Sequence, residues 1–354
     1  LSCRNCETTC PSGVQYHKLL DFSRAAIEQW APRPRAEVVA RSLMRSVLPR
    51  PRLFKALVQI GDVMRPLLPE LLAAKLPQRA PMVRSRPPGR HLRTVLMLEG
   101  CVQPGLAPDT NAAAARVLDR LGISVLAVTE AGCCGAVDFH LDAQEAGRAR
   151  ARRNIDAWWP AIEGGEGAGV GAGVGAKVEA IVITASGCGA FVKDYGFLLR
   201  DDPAYADKAA RVSALARDLV EVLRGEALEG LGVRGNKRVA FHCPCTLQHA
   251  QKLGGAVEGV LSRLGFELTA VPDAHLCCGS AGTYSLTQPE LSRRLRDNKL
   301  DALESARPEL IVSANIGCQS HLDGAGRTPV RHWIEIVDEA CEAVGARENA
   351  PQPL

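Results

Sequence analysis

The sequence predicts an α/β protein made of two duplicated parallel-sheet units, preceded by a helical segment with cysteines of its own. Three observations predict it. One cysteine pattern occurs twice: Cys101, Cys133-Cys134-Gly135 and Cys188, then Cys245, Cys277-Cys278-Gly279 and Cys318. The step from lone cysteine to cysteine pair is 32 residues in both copies, and the two Cys-Cys-Gly runs lie 144 residues apart. A Leu-Gly that suits a helix end recurs between them, as Leu121-Gly122 and Leu264-Gly265. Repetition at a long, fixed interval implies a duplicated structural unit. From residue 92 onward, apolar β-branched runs alternate with helical periodicity, the pattern of parallel strands joined by helical crossovers.

Residues 14–90 contain no cysteine. Within them, 19–30, 36–48 and 53–76 show apolar residues at helical spacing, interrupted by Pro49, Pro51, Pro66 and Pro69. The favoured reading is a set of helices packing the first segment onto the next domain. The other is an amphipathic face that docks a partner subunit or a membrane surface. Pro81, Pro87 and Pro88 among Arg84, Arg86 and Arg90 mark a linker. The first unit then reads as strand 94–100, helix 112–121, strand 124–129, helix 141–159 and strand 180–184. The second repeats this order as strand 238–241, helix 250–264, strand 268–271, helix 289–306 and strand 310–313. The glycine-rich run 164–175 follows a helix and precedes a strand, the reverse of a phosphate-binding loop, and reads as a surface insertion. The expected divisions are 1–30, a helical connector 31–91, and cysteine-rich units 92–235 and 236–345.

In both units every cysteine group follows a strand. The crevice beyond the carboxyl ends of strands is where open α/β sheets bind ligands. Four cysteines distant in sequence are therefore expected to meet at one end of each sheet: Cys101, Cys133, Cys134 and Cys188 in the first, Cys245, Cys277, Cys278 and Cys318 in the second. Adjacent cysteines point apart in an extended chain, so both joining one site requires a turn, which Gly135 and Gly279 permit.

Composition narrows what the sulfurs hold. A chain of 354 residues has room for two or three domains with real cores, unlike a small disulfide scaffold. Thirteen cysteines cannot form a complete set of internal disulfides but suit metal sites with spares. No run of about 18 apolar residues spans a bilayer. The cysteines therefore read as metal or redox ligands in a reducing cytoplasm, with a peripheral position on the inner membrane face as the alternative. A net charge of +4 and an aromatic content of 4% argue against a nucleic-acid partner.

The amino terminus reads Cys3-Arg4-Asn5-Cys6-Glu7-Thr8-Thr9-Cys10-Pro11. It resembles the last three-quarters of C-x2-C-x2-C-x3-C-P, the run of bacterial ferredoxins with two [4Fe–4S] clusters. The fold class thus includes a truncated ferredoxin-like α-helical iron–sulfur segment, with Cys3, Cys6 and Cys10 as metal ligands. A chain that opens with Leu1, one residue inside such a motif, is read as lacking the upstream half. A zinc knuckle is the alternative, and the Cys-Pro ending favours iron–sulfur.

The duplicated Cys-x31-Cys-Cys-Gly units resemble the cysteine-rich domains of heterodisulfide reductases and of respiratory 2-hydroxyacid dehydrogenases. Local runs such as "CRNCETTCPSGVQYHKLL", "LEGCVQP", "AGCCGAVDFHL", "PCTLQHAQKL" and "LCCGSAGTYSLTQPELS" are closer to the iron–sulfur subunits of glycolate oxidase. The resemblance implies an electron-transfer subunit that takes electrons from flavin (FAD) subunits oxidising glycolate to glyoxylate and passes them towards a membrane quinone. It also implies [4Fe–4S] clusters, two ferredoxin-type in the full-length protein and one in each cysteine-rich unit. The alternatives are the iron–sulfur subunit of a lactate or glycerol-3-phosphate dehydrogenase, or a disulfide-reducing catalytic subunit.

One departure weighs against disulfide reduction. The wider family ends each unit in C-x-x-C, giving five thiolates, whereas here Ala185 and Asn315 stand at the penultimate cysteine position. Four thiolates per unit remain, enough for an ordinary [4Fe–4S] cluster. Cys243 is a candidate fifth ligand in the second unit, and Cys341 lies outside the repeat. His242, His249, His275 and His321 read chiefly as structural polar residues, with His242 the best candidate for hydrogen bonding to a cluster. Lys193 and Asp194 read as part of a solvated helix. No nucleophile–base pair and no correctly placed nucleotide fingerprint is present, so catalytic residues for substrate oxidation are expected on another subunit.

Overall fold

The structure is a computed structural model that describes residues 3–31, 33–69, 73, 76, 84–89, 91–164 and 178–348. The glycine-rich run from 165 onward, and Pro81 and Arg90 of the linker, lie outside the described residues. Two four-stranded sheets follow the repeat. In the first, β1 (Arg93–Met97), β2 (Ile123–Ala127), β3 (Val178–Ile183) and β4 (Ala216–Asp218) pair in the order β2-β1-β3-β4, all parallel. In the second, β5 (Arg238–His242), β6 (Glu267–Leu268), β7 (Leu310–Ser313) and β8 (Val330–His332) pair as β6-β5-β7-β8, again all parallel. The central strands are buried along nearly their whole length, as expected where helices cover both faces of a parallel sheet. That is why they read as continuous apolar runs.

The fourth strand of each sheet is not foreshadowed by the sequence. Ala216-Arg217-Asp218 and Val330-Arg331-His332 are three residues long with charged or polar members, too short to show a period. The expected helix 141–159 is observed as Gln144–Glu163, and a separate short helix, Ala136–His140, precedes it. Asp142 sits between them at φ 65°, and Arg33 and Arg41 from the first segment donate to its carboxylate. The expected helix 250–264 forms only over Ala256–Arg263, and a single wide turn over Thr246–Ala250 precedes it. Gly255, at φ 80°, separates the two.

The two units share one apolar core. Helix Asp109–Arg120 of the first packs on helix Trp333–Glu348, and Val117 and Leu118 join Val239, Phe241, Trp333 and Val337. Arg84 and Arg116 both pair with the fully buried carboxylate of Asp338, which would be costly without partners. The carboxyl edges also meet. The Ser186 N–H donates to Ala314 O at 3.0 Å, and the Gly187 N–H donates to Asn315 Oδ1 at 3.2 Å.

The first-segment helices Tyr16–Trp30, Arg35–Val47 and Pro51–Val63 differ from the favoured expectation. None contains a buried residue, and Phe22, Trp30 and Val63 are 75%, 81% and 82% exposed. They touch the units at edges, through the Arg33 and Arg41 pairs with Asp142, Gln144 Nε2 donating to Asp21 O, Lys18 over the Phe197 ring and Phe54 against Gly105. Their apolar stripes face outward because the units already cover their own cores.

His332 bridges the sheets. Its Nδ1 accepts from the Ile334 N–H, so Nε2 carries the proton and donates to Thr184 O at 2.9 Å. Burial lowers its pKa to about 4, against the opposing pull of the Thr184 carbonyl. The unfolded value is about 6.5, so the folded state favours the neutral ring. The contribution is therefore full above about pH 6.5 and is lost as pH falls towards 4, worth about 3 kcal/mol in all. Urea unfolding should show stability declining between pH 7 and 5, and the decline should flatten in His332→Gln; an equal decline in both would exclude this residue as the cause.

Candidate metal centres

Parallel strands end on the same edge, and the order β2-β1-β3-β4 reverses direction between β1 and β3. The crevice at such a reversal is the ligand position of open α/β sheets. Cys101 follows β1, Cys133 and Cys134 lie beyond β2, and Cys188 occupies the first turn of helix Ser186–Lys193 after β3. The second unit repeats the placement. Cys245 follows β5, Cys277 and Cys278 lie beyond β6, and Cys318 occupies the first turn of helix Ile316–Asp323 after β7.

The sulfurs meet. Cys101 contacts Cys133, Cys133 contacts Cys134, and Cys134 contacts Cys188. In the second unit the chain of contacts runs Cys245, Cys277, Cys278, Cys318. All thirteen cysteines are free thiols.

The Cys-Cys turns explain how neighbours can face one pocket. Gly135 and Gly279 take φ 99° and 85°. A Cβ at Gly135 would lie 2.6 Å from Gly147 O, and one at Gly279 would lie 2.4 Å from Ser292 O. Their N–H groups turn back to Cys133 Sγ and Cys277 Sγ, at 3.5 and 3.3 Å. Buried side chains then clamp each turn. In the first unit Asn154 donates to Cys133 O at 3.0 Å and accepts from the Gly132 N–H, while the Tyr195 hydroxyl donates to Cys134 O at 2.6 Å. In the second, Ser292 Oγ donates to Gly279 O at 2.8 Å, and buried Lys299 donates to the carbonyls of Asp273 and Ala274.

These contacts polarise the thiols. Cys101 and Cys134 donate to Cys133 and hold its pKa well below the usual thiol value, with the Gly135 N–H and Arg150 adding to the effect. The donors are raised in turn, Cys101 by its bond to Cys133 and by burial. Cys277 is lowered in the same way by Cys245 and Cys278, and Cys318 is lowered first by Cys278, then by His242 and Asn315. Ionising all four thiols of a pocket would bury four negative charges. Arg150 and Lys299 supply one cation each, and the remaining balance is what a thiolate-bound metal centre provides. Soft sulfur donors in such number suit iron–sulfur or zinc ligation.

The remaining candidates divide. Cys3 and Cys6 line a cleft of about 400 Å³ with Tyr16, His17, Phe191 and Thr246. Cys10 lies outside that lining, near the Tyr16 hydroxyl, its pKa lowered by the backbone of Val14 and Ser12. Cys3 is close enough to Cys245 for its charge to raise that thiol's pKa, and Thr8 Oγ1 hydrogen-bonds His249 Nδ1 at 2.8 Å. Cys243 packs in the shared apolar core, where burial raises its pKa. Cys341 is buried there too and raised to about 11.

His321 supports the Ser292 clamp, and the His275 carbonyl accepts from His249. Lys193 and Asp194 do not belong to a merely solvated helix. Lys193 pairs with Glu221, and Asp194 pairs with Arg4 at 2.6 Å, because the first segment lies over this helix. Sequence reasoning missed Asn154, Tyr195 and Lys299, which carry no motif and act only through the fold. In the sequence Asn315 reads only as a missing cysteine, yet its Nδ2 approaches Cys318 Sγ at 3.5 Å.

Two parallel-sheet units, each gathering four thiols at its switch point, define a duplicated thiolate metal-binding protein. The chain belongs to the cysteine-rich CCG domain family, whose pattern matches residues 95–193 and 239–323. It is 66% identical over 342 residues to the glycolate oxidase iron-sulfur subunit of Escherichia coli (strain K12), covering 97% of this chain and 81% of that protein. A probable glycolate oxidase iron-sulfur subunit of Bacillus subtilis (strain 168) is 29% identical, covering 99% of this chain and 82% of its own length. Lactate utilization protein A of Geobacillus thermodenitrificans is 30% identical over 65% of this chain and 92% of its own. Among the described residues no helix is long and apolar enough to cross a membrane.

The turn geometry sets a test. Replacing Gly279 with Ala forces a side chain onto a positive φ and against the Ser292 carbonyl, a cost of about 2 kcal/mol or more. Iron bound per chain after anaerobic purification should fall in Gly279→Ala, whereas Gly282→Ala, also at positive φ but with open space around its Cβ, should retain it. Equal iron in both variants would show that the turn does not position the thiols.

Proposed function

We propose that this chain is the iron–sulfur electron-transfer subunit of a complex that oxidises glycolate to glyoxylate. The observation that carries the reading is the near full-length 66% identity to a glycolate oxidase iron-sulfur subunit, joined to the two thiol quartets. In this reading Cys101, Cys133, Cys134 and Cys188 hold one [4Fe–4S] cluster, and Cys245, Cys277, Cys278 and Cys318 hold another. Cys3, Cys6 and Cys10 contribute to ferredoxin-type clusters. Residues 1–30, 31–91, 92–235 and 236–345 are the corresponding divisions. When bound, such clusters supply reversible one-electron storage.

The chain's own residues serve that role by holding and shielding. The Gly135 and Gly279 turns aim adjacent thiols into one pocket. Asn154 and Tyr195, and Ser292 and Lys299, fix the backbone behind them. Leu98, Phe139 and Phe191 keep the first pocket apolar. Nothing in this set activates a hydroxyacid, so oxidation of the substrate belongs to partner subunits, which we take to carry FAD, and the final acceptor to be a quinone. The outward apolar stripe of helix Tyr16–Trp30 lies beside the Cys3–Cys6 cleft, and we place the flavin-subunit contact there. A lactate-oxidising complex is the second reading, favoured by the similarity to lactate utilization protein A.

Serine puts a harder donor where a soft thiolate stood. In the complex with its partners, Cys134→Ser or Cys278→Ser should lower steady-state turnover with glycolate and a quinone analogue at least tenfold. Single-turnover flavin reduction by glycolate should be unchanged. Unchanged steady-state turnover in both variants, or glycolate oxidation by the isolated chain, would contradict the relay assignment. Faster turnover with D-lactate than with glycolate would select the second reading.

A further inference from the structure

The two thiol quartets are alike, but their surroundings differ at one position. Three residues before Cys245 stands His242, the last residue of β5; three residues before Cys101 stands Leu98. Both are buried, His242 to 1% exposure and Leu98 to 2%. A ring nitrogen of His242 and the sulfurs of Cys278 and Cys318 all lie within 4.8 Å of one another. His242 lies close enough to Cys318 to lower that thiol's pKa, yet neither Nδ1 nor Nε2 makes a hydrogen bond of acceptable geometry.

A buried imidazole without partners is costly, and its two nitrogens need different ones. A neutral ring has one N–H, which a thiolate can accept, and one bare nitrogen, which needs a donor or a metal. Ionised thiolates offer no protons to that bare nitrogen. A metal ion held by the same sulfurs does satisfy it, and neutral imidazole is a common metal ligand. The buried histidines nearby are placed otherwise: His249 is tied to Thr8, His321 to Ser292 and His332 to Thr184.

From this geometry we propose that His242 is a ligand of the second unit's metal centre, which therefore has a mixed thiolate–imidazole ligand set where the first unit's is thiolate only. The proposal rests on the iron–sulfur reading given above. Neutral imidazole adds a ligand without adding negative charge, so the centre's potential is higher with His242 than with a thiolate in its place. The first centre, with Leu98 in place of the ring, has no such ligand.

Pulsed electron paramagnetic resonance on the reduced complex, prepared with ¹⁴N- and ¹⁵N-histidine, reads the ligand directly. The expected result is a strong nitrogen coupling that changes with the isotope, so no variant has to fold for the first reading. In His242→Cys the coupling should vanish while iron is retained, and that centre's midpoint potential should fall. In His242→Leu the coupling should vanish as well. A second-unit centre that shows no histidine coupling, or only the weak coupling of an N–H bonded to sulfur, overturns this ligand assignment and leaves the iron–sulfur reading intact. Absence of iron from the second unit overturns both.

Discussion

Four buried thiols that face one another cannot all ionise without a counter-charge, and the rest of the structure is arranged around that constraint. Each pocket has one nearby cation, Arg150 or Lys299, against four sulfurs. Cys101 and Cys134 donate to Cys133, and Cys245 and Cys278 to Cys277, so one sulfur of each pocket is held well towards the thiolate by its neighbours. The same spacing that shares protons among sulfurs suits them to share metal. Parallel sheets make the arrangement possible because every strand delivers its following loop to one edge, and the order reversal leaves a crevice there.

Duplication has not kept the units identical. The turn glycines, the helix-borne fourth thiols and the strand order are repeated. The clamps behind the turns are not: Asn154 and Tyr195 serve in one unit, Ser292 and Lys299 in the other. Ala185 and Asn315 also differ. Asn315 lies at the seam, where its Oδ1 accepts from the Gly187 N–H and its Nδ2 approaches Cys318 Sγ. One side chain thus touches the backbone beside Cys188 and the sulfur of the second quartet. The shared core and the Ser186–Ala314 hydrogen bond hold the two carboxyl edges against each other. Two similar pockets with unlike neighbours suit a relay better than two equal ones, because an electron needs a direction.

Much of this was legible in the sequence, for a physical reason. Cysteines and the glycines after them are fixed by chemistry and by backbone geometry, so both quartets and both turns showed as a repeated pattern. The long buried strands β1, β3, β5 and β7 showed as apolar runs. The short edge strands β4 and β8 did not, since three residues carry no period. Asp142 and Gly255, both at positive φ, hold back helix starts that periodicity placed three and six residues earlier. The clamps were invisible because Asn154, Tyr195 and Lys299 become neighbours of the cysteines only after folding. The first-segment helices misled in the opposite sense. An amphipathic stripe predicts a covered face, and the covering of Phe22, Trp30 and Val63 is not supplied by the described part of this chain.

The central claim is that each quartet holds its own iron–sulfur centre. It is tested most directly by iron and acid-labile sulfide analysis with low-temperature electron paramagnetic resonance on two paired variants, Cys133→Ala with Cys134→Ala, and Cys277→Ala with Cys278→Ala. Each pair should remove one spectroscopic component together with its iron and sulfide, leave the other in place, and remove a different component from the other pair. Loss of the same component in both pairs, or unchanged iron and sulfide in either, would contradict the account.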